Sequence, residues 1–162
     1  MNPNEVRFAA DAMLLSLAKW LRMLGYDCLA GSGIFGRSLV ETAVAERRWI
    51  LTRNRRYAGD LPQLLLERAD IFLLAGEELP GQLREVADRF SLEPSAFLFT
   101  RCLVCNAPLH PIAKPHLPPS VPHAVRAREE HFWQCRHCRR IYWRGSHVRN
   151  SMRRLNDWLG NP

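Results

Sequence analysis

Four cysteines in two close pairs constrain the fold of this chain more than any other feature of its sequence. They form two Cys-x-x-Cys motifs, separated by 29 residues, at Cys102, Cys105, Cys135 and Cys138. Four thiolates held as two tight pairs suit the tetrahedral coordination that zinc prefers. The spacing therefore predicts a structural zinc site, which folds a module too small to be stable alone.

Two disulfides or an iron–sulfur cluster are the alternatives to zinc. The first residues include Glu5 and Asp11 and lack the continuous apolar stretch of a secretion signal. The longest uncharged run has 12 residues, from Cys102 to Ala113, whereas a membrane helix needs about 18. We therefore expect a cytoplasmic protein with no membrane segment, in which thiols stay reduced. The fifth cysteine, Cys28, is expected to be a buried apolar residue.

The charge of the chain changes sharply near residue 100. Residues 1–100 carry 12 Lys and Arg against 13 Asp and Glu, whereas residues 101–162 carry 11 against 3, and all six histidines lie in the second part. Such a break predicts two modules, and a compact basic segment favours a polyanionic partner such as nucleic acid. A generally basic, solvated surface is the alternative.

Aromatic and basic side chains alternate around the second cysteine pair. The arginines are Arg136, Arg139, Arg140 and Arg144, and the aromatics are Phe132, Trp133, Tyr142 and Trp143. Aromatic faces stack bases and guanidinium groups hold phosphates, so this mixture predicts binding of single-stranded RNA. Because a ribbon is thin, some of these side chains must form its core. We assign Trp133 and Ile141 to packing, and the arginines with one exposed aromatic to binding.

Strand and helix patterns alternate about four times before residue 100. Strands are predicted at residues 6–10, 26–30, 49–52 and 71–74, the last as a strand buried on both faces. The first helix has an apolar stripe, with Lys19 and Arg22 outside it, made by Leu14, Leu17, Ala18, Leu21 and Leu24. Ser38 and Glu41 form a capping box for a second helix.

The remaining helix signals complete this pattern. The second helix turns Leu39, Thr42, Ala43 and Ala45 inward, Asp60 caps a short third helix, and a fourth packs through Leu79, Leu83, Val86 and Phe90. The alternation predicts an α/β fold with a central parallel sheet. Ligands of such sheets bind at the carboxyl ends of the strands, so Asp11, the stretch near Ser32 and the loop at residues 53–56 are expected to converge on one cleft.

We therefore divide the chain into residues 1–99, a zinc ribbon at residues 100–147 and a helical tail at residues 148–162. Met152, Leu155 and Leu159 lie on one face of the tail helix, with Ser151 as its cap. This face is expected to dock on the protein's own surface. A protein partner or a homodimer contact is the alternative.

Several segments together resemble a known family. They are DAMLLSLAKWLRMLGYD, WILTRNRRYA, CLVCNAPL and FWQCRHCRRIYWRGSH. The chain resembles, from about residue 6 to residue 147, the PIN-like ribonuclease family with a C-terminal zinc ribbon, named after the C-terminal RNase domain of the Mut-seven exonuclease. The resemblance implies a three-layer PIN-like fold, RNA as substrate, and a divalent-metal nuclease site built from acidic residues.

The resemblance also implies roles for individual residues, and some of these residues depart from the family pattern. Asp11 stands at the family's first acidic position and is the candidate ligand for magnesium or manganese, although it could instead cap the helix that follows. Asn54 stands where the family has aspartate, and Gly36, Arg37 and Ser38 occupy a segment that is usually acidic. Glu41 is the candidate substitute, with the capping box as the competing role.

Two functions follow, and a third stays open. The first is a metal-dependent ribonuclease in which Asp11, Glu41 and Asn54 hold metal, Thr52 assists, and the phosphate is contacted from the loop of Arg53, Arg55 and Arg56. The second is a catalytically inactive module that binds RNA or a ribonucleoprotein through the basic ribbon, because one or two acids offset little of the charge of two metal ions. The third is a structural adaptor whose ribbon binds protein.

Overall fold

The computed structural model describes residues 6–31, 33–56, 59, 61–93 and 98–160. Its first sheet consists of four parallel strands, β1 (Arg7–Ala10), β2 (Asp27–Leu29), β3 (Trp49–Thr52) and β4 (Ile71–Leu73). The helices of this region are α1 (Leu15–Met23), α2 (Gly36–Glu46), α3 (Gln63–Leu66) and α4 (Leu79–Phe90). The prediction of an α/β fold with a parallel sheet is therefore confirmed.

The strand order β2-β1-β3-β4 places the first and third strands side by side. Alternate residues of these strands point to opposite faces. Phe8 and Leu51 pack with α1 and α4 on one face, whereas Ala9 and Ile50 pack with α2 on the other. Helices thus cover both faces of the sheet. From β1 the chain continues to β2 on one side, whereas from β3 it continues to β4 on the other side. The carboxyl ends of β1 and β3 therefore form a topological switch point.

The apolar stripe of the first helix is buried as predicted, and two residues outside it, Arg22 and Met23, are buried too. Leu14, which ends a short 3-10 turn, and the stripe residues of α1 are inaccessible to solvent. Lys19 is exposed as expected, whereas Arg22 is only 4% exposed. Arg22 is buried although it lies outside the stripe, because its guanidinium group donates to carbonyls of β2 and of the distant residues Leu103 and Val104, which periodicity does not reveal.

The second helix begins earlier than its capping box predicted. It starts at Gly36, and Ser38 lies inside it, where its hydroxyl accepts a hydrogen bond from the Phe35 amide at 3.2 Å. Glu41 instead pairs with Arg37, one turn before it. The capping-box prediction was therefore wrong. Leu39 and Ala43 of this helix are buried and Thr42 is half-buried, whereas Ala45 is exposed, contrary to prediction.

Strand β4 is only partly buried, which corrects the prediction that it is buried on both faces. It pairs only with β3 in the sheet order, and the side chain of Leu73 is 46% exposed. A continuous apolar run indicates a strand, but it does not say whether a second neighbour covers that strand. The predicted cap Asp60 and the stretch around Ser32 include positions outside the described residues.

The second sheet is small and antiparallel. It contains β5 (Leu109–Ile112), β6 (Phe132–Cys135) and β7 (Ile141–Trp143), in that order. A short helix, α5 (His123–Arg128), precedes β6. The buried residues of this region form a cluster of only three, Leu117, Val121 and Phe132. So small a core gives little stability, in keeping with a module that depends on its cysteine cluster.

The last helix, α6 (Ser146–Leu159), docks on the first region of the chain. Leu155 is buried, and Met152 and Leu159 pack against the main core, as predicted for the tail. The rings of Trp20 and Trp158 meet edge to face, with centroids 4.7 Å apart. The helix begins five residues before Ser151, so the predicted cap was wrong. Within the described residues, no helix combines the length and the apolar character needed to cross a membrane.

Candidate functional site

The four cysteines of the two motifs converge on one point. Their sulfur atoms all lie within 4.8 Å of one another, with Cys102 Sγ 3.5 Å from Cys138 Sγ and Cys105 Sγ 3.4 Å from Cys135 Sγ. Tetrahedral ligation with zinc–sulfur bonds of about 2.3 Å would place sulfur atoms about 3.8 Å apart. This group could therefore hold a metal ion, and its donors and spacing fit zinc.

Each Cys-x-x-Cys motif makes the same tight turn. The amide of Asn106 donates to the Cys102 carbonyl at 2.9 Å, and the amide of Arg139 donates to the Cys135 carbonyl at 2.9 Å. Both residues adopt a left-handed conformation, with φ of 67° and 62°. An asparagine directly after the second cysteine of the motif predicts such a left-handed turn, and the structure confirms it. Arg139 plays the equivalent part in the second motif.

The thiols of this cluster influence one another strongly. Burial raises the pKa of Cys102, but the Tyr142 hydroxyl, 3.0 Å from its sulfur, and the nearby backbone amides lower that pKa to about 6. Burial and the neighbouring thiols raise the pKa of Cys105 to about 12. Because a thiol must lose its proton to ligate a metal, binding of a divalent cation by this cluster is expected to release protons.

The first cysteine motif is fastened to the parallel sheet by buried polar groups. The guanidinium group of Arg22 donates to the carbonyls of Leu103 and Val104, each at 3.0 Å, and to the Cys28 carbonyl at 2.8 Å. The side-chain oxygen of Asn106 accepts from the Cys28 amide at 3.1 Å. These hydrogen bonds join the first cysteine motif to α1 and to the edge strand β2, and we call this contact the junction.

Asp27 contributes a negative charge to this junction and pairs with arginines from both sides of it. Its carboxylate accepts from Arg48 Nη1 at 2.5 Å and from Asn106 Nδ2 at 2.7 Å, and it lies 3.3 Å from Arg101 Nη2. Burial raises the pKa of Asp27, but the hydrogen bonds from Arg48 and Asn106 outweigh it and hold that pKa below its usual value. The buried Arg48 also pairs with Glu46 at 2.6 Å.

A second polar group lies at the carboxyl ends of β1 and β3. The Asp11 backbone amide donates to the Leu51 carbonyl at 2.9 Å, which fixes this residue against the third strand. One Asp11 carboxylate oxygen accepts from the Ala12 amide at 2.6 Å, so the predicted helix-cap role is confirmed. The other accepts from the buried Thr52 hydroxyl at 2.9 Å.

Asn54 is bonded to Thr52 through its backbone, but its side chain is engaged by the following loop. Its backbone amide donates to the Thr52 hydroxyl at 3.1 Å, while its side-chain oxygen accepts from the Arg56 amide at 3.0 Å. The side-chain oxygen of Asn54, which is the atom that could ligate a metal, therefore stabilises the loop after β3 instead. The loop presents Arg55 and Arg56 to solvent.

Two further acidic residues, Glu41 and Glu77, are paired with arginines. Glu41 lies on α2 and its carboxylate is 2.7 Å from Arg37 Nε. Glu77, which the sequence analysis did not single out, follows the end of β4 and lies 3.9 Å from Arg53 Nη2. Its signal was available, because it follows an apolar strand as Asp11 does. Within the described ranges, the four-cysteine group is the one cluster of three or more potential metal ligands.

The four arginines around the second cysteine motif have no acidic partners among the described residues, unlike Arg101 before the first motif. Arg136, Arg139, Arg140 and Arg144 are all exposed, and none takes part in the ion pairs among the described residues. The guanidinium group of Arg144 lies over the Trp133 ring, 5.6 Å from its centroid. The positive charge of this surface is therefore left for an external anion.

The aromatic residues of the ribbon divide differently from the prediction. Phe132 is buried and packs with Ile141 and Trp143 in the small core. Trp133 lies on the opposite face of β6, next to His131, and belongs to none of the core clusters of the described residues. The assignment of Ile141 to packing is confirmed, whereas the assignment of Trp133 was wrong, because alternation along a strand does not say which face is covered.

Comparison with known proteins adds a family to this geometry. A family model described as Mut7-C RNAse domain matches residues 6–155. Neither the curated proteins nor the solved structures gave a match to this chain. The matched range spans the parallel sheet, the cysteine cluster and most of α6, so it includes both polar sites.

Proposed function

The chain belongs to the Mut7-C RNAse domain family, and from this premise we propose that it binds RNA and hydrolyses its phosphodiester bonds with a divalent metal ion at Asp11. The observation that carries the proposal is the position of Asp11 at the switch point of a parallel sheet, where such folds bind ligands. We propose further that the three-layer region is PIN-like and that it works in the cytoplasm.

Asp11 is the proposed ligand for magnesium or manganese. Its carboxylate is oriented by the Thr52 hydroxyl and by the Ala12 amide, so the oxygens are held in place before any ion arrives. Thr52 is fully buried and positions Asp11 without needing to touch the ion. Glu41 and Asn54 are proposed as further ligands. Rotation of Glu41 away from Arg37 and of Asn54 away from the Arg56 amide would supply their oxygens.

A bound divalent ion would supply an activated water and charge stabilisation at the phosphate. The protein would supply orientation. Arg53, Arg55 and Arg56 follow β3 directly, and we propose that they hold the phosphates on either side of the bond that breaks. Glu77 already neutralises part of the charge of Arg53, so the two exposed arginines would make the stronger contacts.

We propose zinc as the ion of the four-cysteine group, and the ribbon as the second RNA-binding surface. Four sulfur ligands leave no open coordination position, so this ion would stabilise the ribbon rather than react. The exposed arginines proposed to contact RNA are Arg136, Arg139, Arg140 and Arg144. Their support is the absence of acidic partners within the described residues and the closeness of Arg144 to an aromatic ring.

The test is cleavage of a labelled RNA in manganese by the wild type and by Asp11→Asn. This change removes the charge while it keeps the shape of the side chain, and we expect a loss of at least about 100-fold in rate. Asp70→Asn is the matched control, because Asp70 is exposed at the opposite end of the sheet, before β4. It should leave the rate unchanged.

Equal rates for the wild type and Asp11→Asn would overturn the catalytic proposal. If both proteins then still bound RNA with a chelator present, the family fold would serve here as a binding module. The reason would be a lack of negative charge at the proposed site, because Asp11 contributes one carboxylate whereas Asn54 is neutral. A gain of cleavage in Asn54→Asp would then show that the site lacks only charge.

A further inference from the structure

A groove of the ribbon runs between the first cysteine motif and the residues that follow the second. Its volume is about 470 Å³. One wall comes from the first motif, through Leu103 and Val104, and the other from residues that follow the second motif. The lining also includes Val121, Arg139, Arg140, Tyr142 and Trp143. The groove therefore exists only where the two motifs are brought together by their shared cysteine cluster.

The exposure of Val104 has no explanation in the fold. Its side chain is 50% exposed, although its backbone carbonyl is held by Arg22. A rigid backbone thus presents an apolar side chain to an open groove rather than to a core. On the same groove, the Tyr142 hydroxyl is held by the Cys102 sulfur at 3.0 Å, which fixes that ring as well.

The charge of the groove has one sign. Arg139 and Arg140 are exposed at its rim, and its lining contains no acidic residue. Neither arginine takes part in the ion pairs among the described residues. An apolar wall with two uncompensated guanidinium groups fits a ligand that is flat and apolar at one end and anionic at the other.

We propose that this groove binds one nucleotide of single-stranded RNA. The base lies against Val104 and the Tyr142 ring, and the phosphate is held by Arg139 and Arg140. This inference rests on the proposed function insofar as RNA is the ligand, but it adds a base-binding site on the ribbon, built from other residues than those around Asp11. An acidic peptide would use the arginines but would gain little from the apolar wall, whereas a nucleotide uses both.

The first test changes the protein. Val104→Asp places a negative charge on the apolar wall, and we expect affinity for a short single-stranded RNA to fall about fivefold to tenfold. Ala45→Asp introduces the same charge at an exposed position of α2, far along the chain from the ribbon. It should change the affinity less than about twofold. Zinc content and thermal unfolding of both variants show whether the fold is kept.

The second test changes the ligand and leaves the protein intact. An RNA of the same length and charge in which abasic sites replace the bases should bind the wild type about fivefold to tenfold more weakly. Equal affinity for the two RNAs, or a Val104→Asp variant that is folded and binds as the wild type does, would overturn the nucleotide site. RNA that fails to bind the wild type at all would instead overturn the proposed function.

Discussion

The arginines packed against the sheet differ in their partners from those around the second cysteine motif. In the sheet region, Arg37, Arg48 and Arg53 each lie beside a carboxylate, and Arg22 is surrounded by carbonyl groups. In the ribbon, the arginines around the second cysteine motif are exposed and have no acidic partners among the described residues. Arginine thus serves as a structural residue at Arg22 and Arg48, whereas around the second cysteine motif its charge has no acidic partner among the described residues.

The two regions also differ in what stabilises them. The sheet is enclosed by two extensive apolar clusters, one on each face. The ribbon has a buried core of three residues and four cysteines that can hold a metal ion. Buried apolar area scales with stabilisation, so the ribbon cannot rely on its core as the sheet does. The difference teaches that a single chain can combine a self-sufficient fold with one that depends on an ion.

Removal of metal from the four-cysteine group should destabilise the ribbon far more than the sheet, and it is the largest effect that we expect. Structural zinc contributes roughly 10–16 kcal/mol in small zinc-binding peptides, far more than the ribbon core can replace. We expect a strong chelator, or Cys135→Ser, to abolish the protection of β5, β6 and β7 in hydrogen exchange, while β1 and β3 stay protected. Cys28→Ala is the control, because Cys28 lies outside the cluster and should leave the metal content unchanged. Simultaneous loss of protection in both sheets would contradict the contrast.

Removal of the carboxylate at the junction should have the next largest effect. Asp27→Ala leaves the buried Arg48 with one partner fewer, and we expect a loss of about 3–5 kcal/mol in the free energy of unfolding. Asp88→Ala, at an exposed position of α4, should change it by less than about 0.5 kcal/mol. Urea unfolding of both variants provides the measurement. A loss below about 1 kcal/mol for Asp27→Ala would mean that the junction is not a stabilising contact.

The same carboxylate predicts a pH dependence. Since the pKa of Asp27 is lower in the folded protein, its stabilising contribution is complete above the unfolded value of about 3.9. It is lost as the pH falls through the lower folded value. The difference in stability between the wild type and Asp27→Asn should therefore shrink as the pH is lowered below about 4.

The smallest effect should be seen in the salt dependence of RNA binding. Each phosphate contact to a single strand adds about 0.7 to the slope of log affinity against log salt. We therefore expect Arg139→Gln and Arg140→Gln each to reduce this slope by about 0.7. Arg68→Gln, at an exposed position beyond α3, is the control and should not change it. Equal slopes for all three variants would place the RNA elsewhere on the molecule.

Local patterns predicted the parts of the fold that depend on neighbouring residues in the chain. The apolar stripe of α1, the strand at residues 49–52 and the left-handed turn at Asn106 all follow from short-range sequence preferences. The meeting of Asp11 and Thr52 followed from one topological rule, that carboxyl ends of parallel strands share an edge. That part of the candidate site was therefore accessible from the sequence.

The features that local patterns missed concern residues whose partners lie far away in the sequence. Burial of Arg22 depends on carbonyls of residues 103 and 104, about 80 positions later. The exposure of β4 depends on the order of strands, and the face of Trp133 depends on which side of the ribbon the segment around Leu117 covers. Periodicity identifies an element and its two faces, but it does not identify what packs against them.

The hydrogen bond between the Cys28 amide and Asn106 has a consequence for self-association. Strand β2 ends the parallel sheet on one side, and an uncovered strand of this kind offers a template on which another chain can add a strand. The cysteine motif covers part of this border and engages its amide. An ion bound by the four cysteines would hold that motif in shape and would thereby also oppose strand addition at this edge of the sheet.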